Sequence, residues 1–386
     1  MKVQAGTGAG TGIDAFESGR EAAAHAVAEL GDAAPALVLV FTTPRYDLPA
    51  LLAGIRSVTG EARLIGATGS GEIMRDTYLG HGAGVGVMVL SAGPYHYGVA
   101  SSDAIKGRLG EVGQTIARAA RDEAGRSPHA AVVLLADCLA GDLQQLFHGA
   151  YRITGPRIPI VGGAAGDEMK FIRTFVFRDG EAIEGGAVAL WIAGDEPFEV
   201  ITRHGWEPIG VPLLVTRAEG VDIMELDGRP AAAVYEEQLG IAPGSLPADA
   251  FWGTSVHHPL GLMQTDGTYV IRAARAKSPN GWLRIQGCVP PEGSAVQVMA
   301  STTDKLLDVT DEVGGIVGRR ADLGALLTFS CAARGMLLGA RIGEESVRLQ
   351  QAAGDVPSFG IYCCGEFART VGVLGTHNCT LTALAL

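Results

Sequence analysis

The stretch AAVVLLADCLAGDLQQLFHGAYRI (residues 130–153), with IPIVGGAAGDEM (158–169) and GGAVALWI (185–192), decides the fold because its pattern occurs again. The later copy reads ALLTFSCAARGMLLGARIGEE (325–345), SFGIYCCGEFA (358–368) and NCTLTALAL (378–386). Each copy follows a strand and a helix start, in VASSDAIKGRL (99–109) and VMASTTDKLLD (298–308). The order of strands and helices is the same in both. The repetition predicts an α+β fold of two similar mixed-sheet domains, with helices packed on the sheets, related by internal duplication.

The size and composition of the chain fit two well-packed domains. The chain has 386 residues, of which 47% are hydrophobic and 19% charged, so a large core can form and disorder is disfavoured. We place the domains at 1–205 and 206–386. No Ser/Pro-rich linker marks this boundary, so the two halves are expected to pack tightly.

Charge and cysteine usage exclude several classes of partner. A net charge of −12 disfavours nucleic acid, because phosphate contacts require clustered Lys and Arg. No apolar run of 18 residues and no secretory signal are found, so we expect no membrane segment. The six cysteines lie mostly in apolar runs without a CxxC motif, which is typical of a reduced, cytoplasmic protein.

The motif FSCAAR (329–334) places a thiol and a guanidinium where a strand passes into a helix. Backbone N–H groups at a helix start favour an anion, so we expect the Cys331 thiol to have a lowered pKa. Arg334, one turn later, can hold a carboxylate with two hydrogen bonds. The alternative is a buried apolar Cys331 and a surface Arg334.

The motifs CCGEFA (363–368) and GTHNCT (375–380) add polar groups at neighbouring strand ends. Cys364 ends a strand, Gly365 allows a tight turn, and the Glu366 carboxylate can accept a ligand ammonium. With Arg334, it would recognise both ends of an amino acid. His377 and Asn378 precede the last strand, and His377 can donate to a ligand or bind a metal or haem iron. Ordinary structural hydrogen bonding is the alternative for each residue.

Two further motifs are less informative. In SVHHPLG (255–261), adjacent histidines on a strand point to opposite faces, so at most one faces a given pocket. We include His258 among the candidate ligand-binding residues, but the spacing does not fit a metal site. GATGSGE (66–72) lacks the Lys of a phosphate-binding loop and is interpreted as a turn where chains approach closely.

The chain resembles the FIST family, which consists of an N-terminal and a C-terminal FIST domain in tandem. The resemblance rests on seven motifs in the family's order, IGATGSGEI (65–73), GGAAGDE (162–168), ELDGRPAAAVY (225–235), HPLG (258–261), FSCAARGMLLG (329–339), YCCGEFA (362–368) and HNCTLTAL (377–384). It implies a sensory module that binds a small ligand, usually suggested to be an amino acid, and informs a signalling partner. That partner would be a protein such as a kinase or cyclase on a separate chain.

The residues and the resemblance together leave three functions open. The first is a small-molecule sensor with a site formed by Cys331, Arg334, Cys364, Gly365, Glu366, His377, Asn378 and His258. The second, which some family members suggest, is a haem-binding nitric-oxide sensor; otherwise no cofactor and no metal are expected. The third is an enzyme in which Cys331 is the nucleophile, His377 the base and Glu366 its orienting group. We favour the sensor.

Overall fold

The computed structural model describes residues 2–80, 82, 84–370 and 373–386. Within this part of the chain, one β-α-β-α-β pattern followed by a hairpin and a closing strand appears three times. Unit I comprises β1 (Ala5–Gly10), α1 (Ala15–Ala28), β2 (Pro35–Thr42), α2 (Leu48–Thr59), β3 (Arg63–Thr68), β4 (Glu72–Met74), β5 (Thr77–Leu79) and β6 (Val85–Ser91). Unit II comprises β7 (His96–Ser102), α3 (Leu109–Ala124), β8 (His129–Asp137), α4 (Leu143–Thr154), β9 (Ile160–Ala165), β10 (Phe175–Arg178), β11 (Glu181–Glu184) and β12 (Ala187–Gly194).

Unit III begins with β13 (Glu199–Arg203) and is then interrupted by residues 207–300, which we call the insert. The insert comprises β14 (Glu207–Glu219), β15 (Asp222–Leu226), β16 (Arg229–Pro230), α5 (Ala231–Gln238), α6 (Phe251–Ser255), β17 (Leu260–Met263), β18 (Tyr269–Arg272), β19 (Ala274–Lys277), β20 (Leu283–Ile285) and β21 (Ala295–Ala300). Unit III resumes with α7 (Thr303–Gly314), β22 (Leu326–Cys331), α8 (Ala332–Leu338), α9 (Ile342–Ala353), β23 (Ser358–Cys363), β24 (Glu366–Thr370), β25 (Val373–His377) and β26 (Leu381–Ala385).

Each unit builds a six-stranded mixed sheet with the same strand order. The three orders are β1-β6-β2-β3-β10-β11, β7-β12-β8-β9-β24-β25 and β13-β26-β22-β23-β4-β5. In each sheet the two central strands are parallel, β2 with β3, β8 with β9 and β22 with β23. The predicted fold class, with helices packed on mixed sheets and internal repetition, is confirmed, and the structure adds an earlier copy of the repeat.

The hairpins are exchanged between the units in a closed cycle. The hairpin β4–β5 of unit I pairs with β23 of unit III, β24–β25 of unit III pairs with β9 of unit II, and β10–β11 of unit II pairs with β3 of unit I. Each sheet is therefore completed by another unit. The inner faces of the three sheets share one core, in which Phe41 of β2 stacks on Phe359 of β23 with ring centroids 5.1 Å apart.

One element of the predicted repeat is placed differently in the structure. The stretch 298–308 suggests that the strand at Val298 corresponds to the strand at Val99. Val298 instead lies in β21, which belongs to the sheet of the insert, and β13 takes the edge position beside β26 that β7 takes beside β12. The insert separates β13 from α7, so the nearest strand in sequence is not the equivalent strand. The domain boundary at 205/206 stays a prediction.

Sequence explains where several helices begin. Asp14, Asp47 and Asp142 are the N-caps of α1, α2 and α4, and each carboxylate accepts a backbone N–H from the first turn. Thr302 caps α7 in the same way. In the described ranges, every helix is too short or too polar to cross a bilayer.

A glycine at one position of each sheet lets the two parallel strands approach. Gly66 of β3 lies opposite Val40, Gly162 of β9 opposite Leu134, and Gly360 of β23 opposite Thr328. A Cβ atom at Gly66 or Gly162 would overlap the carbonyl oxygen of the residue opposite, and at Gly360 it would overlap the Thr328 hydroxyl. The repeated glycine is therefore a packing requirement of this sheet design.

We expect Gly66→Ala to lower the free energy of unfolding by about 1–3 kcal/mol, because the added methyl group meets backbone that cannot easily move. Denaturant unfolding measures the change. Gly343→Ala is the matched control, since a Cβ atom there meets nothing within 4 Å and Ala favours the helix α9. Equal stability of Gly66→Ala and the wild-type protein would contradict the packing argument.

Candidate functional site

Two adjoining hollows lie where the insert covers the junction of units II and III. The first, which we call the Trp252 lobe, is lined by residues that include Met169, Phe171, Trp252, Arg275 and Cys331. The second, the His377 lobe, is lined by residues that include Cys138, Leu143, Glu366, Phe367 and His377. Gln286, Cys364 and Asn378 line both. Each lobe has a volume of about 20 Å³, which is room for about one water molecule.

Most of the residues proposed from sequence meet at this double hollow. They come from the end of β22, the turn after β23 and the end of β25. The lining includes Cys331, Cys364, Gly365, Glu366, His377 and Asn378. Their assignment as ligand-binding residues stays a prediction. Arg334 and His258 are not among the lining residues.

Arg334 is fully buried and committed to another partner. Its Nη2 atom donates to Glu345 Oε2 at 2.6 Å and to the Leu306 carbonyl oxygen at 2.8 Å. Ser330 Oγ donates to the other carboxylate oxygen of Glu345 at 2.5 Å. This network lies between β22, α7, α8 and α9. The alternative of a surface Arg334 is wrong, because the side chain is buried and pairs with a carboxylate of the chain itself.

His258 lies in the turn between α6 and β17 rather than on a strand, which corrects the sequence interpretation. Its carbonyl oxygen accepts a hydrogen bond from Tyr235 Oη at 2.8 Å. Burial lowers the pKa of the His258 ring. This hydrogen bond joins α5 to the turn before β17 within the insert.

The Cys331 thiol is less acidic than the sequence suggested. Cys331 is 4% exposed and is the N-cap of α8 without a side-chain cap hydrogen bond. The neighbouring Cys379 thiol and burial raise the pKa of Cys331 well above its ordinary value. The expectation of a lowered pKa is therefore wrong. Cys331 contributes a neutral, polarisable surface to the Trp252 lobe.

Glu366 is positioned by the turn before it. Gly365 has φ +149°, a conformation that L side chains rarely adopt, and its carbonyl oxygen accepts the N–H of Ala164 at 2.8 Å. The Cys364 N–H donates to the Ala164 carbonyl oxygen at 2.8 Å, so the turn is fixed to unit II. A side chain at position 365 would crowd Asn378.

The Glu366 carboxyl is already satisfied within the chain. Its Oε2 atom accepts the N–H of Thr380 at 3.2 Å and the Thr380 hydroxyl at 2.7 Å, and its Oε1 atom accepts the Cys363 thiol at 3.4 Å. Burial, with Cys331 nearby, raises the pKa of Glu366 well above its usual range. The structure therefore favours a neutral Glu366, which does not offer the free carboxylate that an ammonium requires.

His377 presents the unsatisfied polar atom of the site. The side chain is 2% exposed, and its Nε2 atom has no hydrogen-bond partner. Burial, with the positive charges of Arg272 and His204, lowers the pKa of His377 to about 3. The ring is therefore neutral at pH 7 and can donate or accept one hydrogen bond.

Asn378 and Arg272 fasten the insert to unit III. Asn378 Oδ1 accepts the N–H of Ala273 at 3.1 Å, and the Asn378 N–H donates to the Ile271 carbonyl oxygen at 3.3 Å. Arg272 Nη1 donates to the Thr376 carbonyl oxygen at 2.7 Å. The site and the insert therefore share hydrogen bonds, so a change in one affects the other.

Sequence reasoning missed the residues that the insert and the loop after β9 contribute. In that loop, the buried Asp167 carboxylate accepts the N–H groups of Phe171, Ile172 and Arg173 at 2.6–3.0 Å. Met169 and Phe171 have φ of +63° and +56°, which is strained backbone next to the hollow. Asp167 lies in the motif GGAAGDE and could have been found from the sequence. Trp252, Arg275 and Gln286 lie in no recognisable motif, so no sequence signal indicated them.

The cysteines of the site are free thiols. Cys138 of unit II lies against Cys364, and this contact, with burial, raises the pKa of Cys364 well above its ordinary value. Within the described ranges, no group of three or more His, Cys, Asp and Glu side chains is placed to hold a metal ion. In this arrangement a haem macrocycle does not fit beside His377, because the His377 lobe has a volume of about 20 Å³.

The enzyme alternative receives no support from the geometry. Cys331 lines the Trp252 lobe and His377 the His377 lobe, and in the described part of the chain they are not hydrogen-bonded to each other. A thiol with a raised pKa and a histidine with a pKa of about 3 are poorly matched as nucleophile and base.

A larger cleft of about 650 Å³ lies on the insert, away from these residues. It is lined mainly by small and proline side chains around the ion pair between Glu236 and Lys277, whose oxygen and nitrogen atoms are 2.6 Å apart. Glu236 also accepts the N–H of Gly244. Its carboxylate is therefore occupied by the chain itself. The unpartnered Nε2 atom of His377, which lines the hollow, marks the double hollow as the better candidate site.

We expect Arg334→Ala to lower the free energy of unfolding by about 3–5 kcal/mol, because it leaves Glu345 charged, buried and unpaired. Urea unfolding measures the loss. The control Arg348→Ala removes an arginine of α9 that pairs with Asp308 at the surface, and should change stability by about 0–1 kcal/mol. A stable Arg334→Ala protein would return Arg334 to the list of ligand-binding candidates.

Because the pKa of His377 is low in the folded protein, we expect the protein to lose stability in acid. The pKa of His377 is about 3 when folded and about 6.5 when unfolded, so below pH 6.5 the unfolded chain binds more protons and stability falls. Below pH 6, wild type should lose up to about 1.4 kcal/mol per pH unit more than His377→Asn. Buried carboxyls such as Glu366, whose pKa is raised, stabilise the folded protein as the pH falls. This contribution is the same in both proteins, so it cancels when their stabilities are subtracted. His25→Gln, on the surface of α1, is the control; identical pH profiles for His377→Asn and wild type would refute the assignment.

Comparison with known proteins supplies the family. The FIST N domain model matches residues 36–229 and the FIST C domain model residues 231–369. An uncharacterized protein of Mycobacterium tuberculosis (strain H37Rv) is 27% identical over 390 residues, which cover 98% of both chains. An uncharacterized protein of Methanocaldococcus jannaschii is 35% identical over 123 residues, which cover 29% of this chain and 24% of that protein.

Solved structures give weaker likenesses. A cyanuric acid hydrolase from A. caulinodans has a TM-score of 0.29 at 14% identity, over 50% of this chain and 71% of that chain. A second structure, described as cyanuric acid hydrolase formed by structural concatenation, has a TM-score of 0.33 at 11% identity, over 100% and 99%. At these values the likeness carries no conclusion about activity. The two family models in tandem match more than half of the chain, so the chain belongs to the FIST family, whose domains are generally regarded as small-ligand sensory domains in signalling.

Proposed function

We propose that this chain is a cytoplasmic small-ligand sensor that binds a small polar metabolite, the class that includes the amino acids, in the double hollow. The observation that carries the proposal is the His377 Nε2 atom, which is buried at the hollow without a partner. A buried polar atom without a hydrogen bond costs free energy, and a ligand that supplies one recovers it. The strained backbone of Met169 and Phe171, which line the adjoining Trp252 lobe, supports the same location.

Binding would be coupled to the position of the insert. Each lobe has room for about one water molecule, so a metabolite enters only if Trp252 and the insert shift away from unit III. The hydrogen bonds of Asn378 and Arg272 hold the closed arrangement. A ligand that binds the shifted state more tightly changes the populations of the two states. A signalling protein such as a kinase or cyclase on a separate chain would respond to the shift.

Neither alternative function has an observation in its favour. A haem sensor would require a much larger displacement of the insert than a small metabolite does, because the macrocycle is far larger than either lobe. The enzyme requires a contact between Cys331 and His377, which line separate lobes. We therefore carry the ligand-binding sensor forward.

The proposal is tested by thermal unfolding with a broad metabolite library. A ligand at 100 times its Kd stabilises the folded state by about 2.7 kcal/mol, so true ligands should raise the Tm by several degrees. Gln286→Leu keeps the volume of the side chain and removes an amide that lines both lobes, so it should weaken binding at least tenfold. Gln264→Leu, elsewhere on the insert, is the matched control and should bind as wild type does.

The fluorescence of Trp252 provides a second measurement. Because Trp252 lines the hollow, its emission should change when a ligand binds and the insert moves. Trp252→Phe removes this signal, and the other tryptophans supply the background. A library without a single stabilising compound, or equal affinities of Gln286→Leu and Gln264→Leu, would overturn the proposed site.

A further inference from the structure

We propose that the double hollow selects a small organic carboxylate whose opposite end is polar but uncharged, with the carboxylate on Arg275 and the uncharged end on His377. This inference rests on the proposed function and narrows the class of its ligand. The inference distinguishes ligands by their charge. An α-amino acid carries an ammonium group, and among the described residues the site offers no free carboxylate to pair with it.

Arg275 is the available anion-binding group of the hollow. It follows the first residue of β19 and is half-buried, with its guanidinium 4.9 Å from the centroid of the Phe171 ring. Among the described residues it makes no hydrogen bond and no ion pair, so its five N–H donors are free. Elsewhere on the insert, Arg284 pairs with Asp222 and Arg229 with Glu237. Arg275 differs from them by facing the hollow without a carboxylate.

A ring-stacked guanidinium is well suited to a carboxylate. The Arg275 guanidinium carbon lies over the Phe171 ring, which attracts the cation without accepting a conventional hydrogen bond from it. Two parallel N–H groups match the two oxygens of a carboxylate, which gives a short, charge-assisted pair. The strained loop that Asp167 holds fixes the position of Phe171, so the guanidinium is oriented before a ligand arrives.

At the far end of the hollow, Glu366 and His377 are uncharged, and the nearby buried Arg272 is positive, which further disfavours a cation there. The Glu366 carboxyl is occupied by Thr380 and Cys363, and burial favours its neutral form. The His377 ring is neutral as well, since its pKa is about 3. An ammonium placed there would lose its hydration without gaining a carboxylate, which is strongly unfavourable. A neutral amide, hydroxyl or heterocycle can instead satisfy the free Nε2 atom.

Most of the lining side chains are apolar, while two amides, Gln286 and Asn378, line both lobes. The apolar part of the lining is formed by Met169, Phe171, Trp252, Leu143 and Phe367, with the neutral thiols of Cys331 and Cys364. Burial of a hydrocarbon segment contributes about 0.8 kcal/mol per CH₂ group. The preferred ligand therefore has three parts, a carboxylate, an aliphatic or aromatic middle and an uncharged polar end.

The test uses matched pairs of compounds with the full-length protein. A panel of aliphatic and aryl carboxylates with a terminal amide or hydroxyl is titrated by calorimetry at pH 7, each beside its α-amino counterpart. One pair is 4-carbamoylbutanoate and L-glutamine, which differ only by the ammonium. Pentanamide lacks the carboxylate and pentanoate lacks the amide. We expect the carboxylates without an ammonium to bind at least tenfold tighter than their α-amino counterparts, and both truncated compounds to bind more weakly.

Variants of the insert locate the carboxylate. Arg275→Gln should weaken the binding of the carboxylates at least tenfold and leave the binding of pentanamide unchanged. The variant should fold, because the Arg275 side chain is half-buried and makes no hydrogen bond with the described residues. Arg284→Gln removes a surface arginine of the same sheet and should bind as wild type does.

The outcomes separate the inference from the proposed function. If the α-amino acids bind as well as the carboxylates, or if Arg275→Gln keeps full affinity, the charge selection is overturned while the ligand site stands. If no compound in this panel or in the broad library binds, both fall. If the carboxylates bind tightly to the wild-type protein and to Arg284→Gln, and lose affinity only for Arg275→Gln, both proposals are supported.

Discussion

The exchange of hairpins is the constraint on which the rest of this structure depends. The hairpin β24–β25 starts in unit III but completes the sheet of unit II, so Glu366 and His377, at the two ends of the hairpin, lie at the junction of the two units. This arrangement brings Cys364 against Cys138, and His377 to the same hollow. A unit removed from the cycle would lose the hairpin that completes its own sheet and leave another sheet incomplete. Stability and site geometry therefore have one origin.

Burial determines the charge of the groups at this junction. Two buried acids behave differently because their partners differ. Glu345 faces the Arg334 guanidinium, so its charge is compensated in place. Glu366 faces a hydroxyl, a backbone N–H and a thiol, so burial favours its protonated form. The ion pair of Glu345 with Arg334 stabilises the layer of helices outside the sheet. The protonated Glu366 adds no charge at the inner side of the sheet, and that neutrality makes a ligand with a single negative end the best match.

From the sequence, the polar residues at the strand ends of unit III can be predicted, but the residues that the insert contributes to the hollow cannot. Cys331 ends β22 and Cys364 follows β23, and these parallel strands end at the same edge of their sheet. His377 ends β25 and reaches the site through the antiparallel hairpin β24–β25. Arg334 shows the limit of this reasoning. Its spacing from Cys331 is known, but the rotation of α8 that points it towards Glu345 is set by packing against α7 and α9. Arg275 is far from these motifs in sequence, and only the folded insert brings it to the site.

The repeat itself shows why the insert matters. Gly71 and Glu72 of unit I form the same turn as Gly365 and Glu366, with φ of +132° and +149° at the two glycines. Glu72 is fully buried, and its carboxylate oxygens have no hydrogen-bond partner in the described chain. Burial raises its pKa, so this copy is also neutral. The insert, however, covers the junction of units II and III, where it adds Trp252, Arg275 and Gln286. A repeated turn thus becomes a candidate receptor where a second element encloses it, and the specificity of that receptor depends on the enclosing residues.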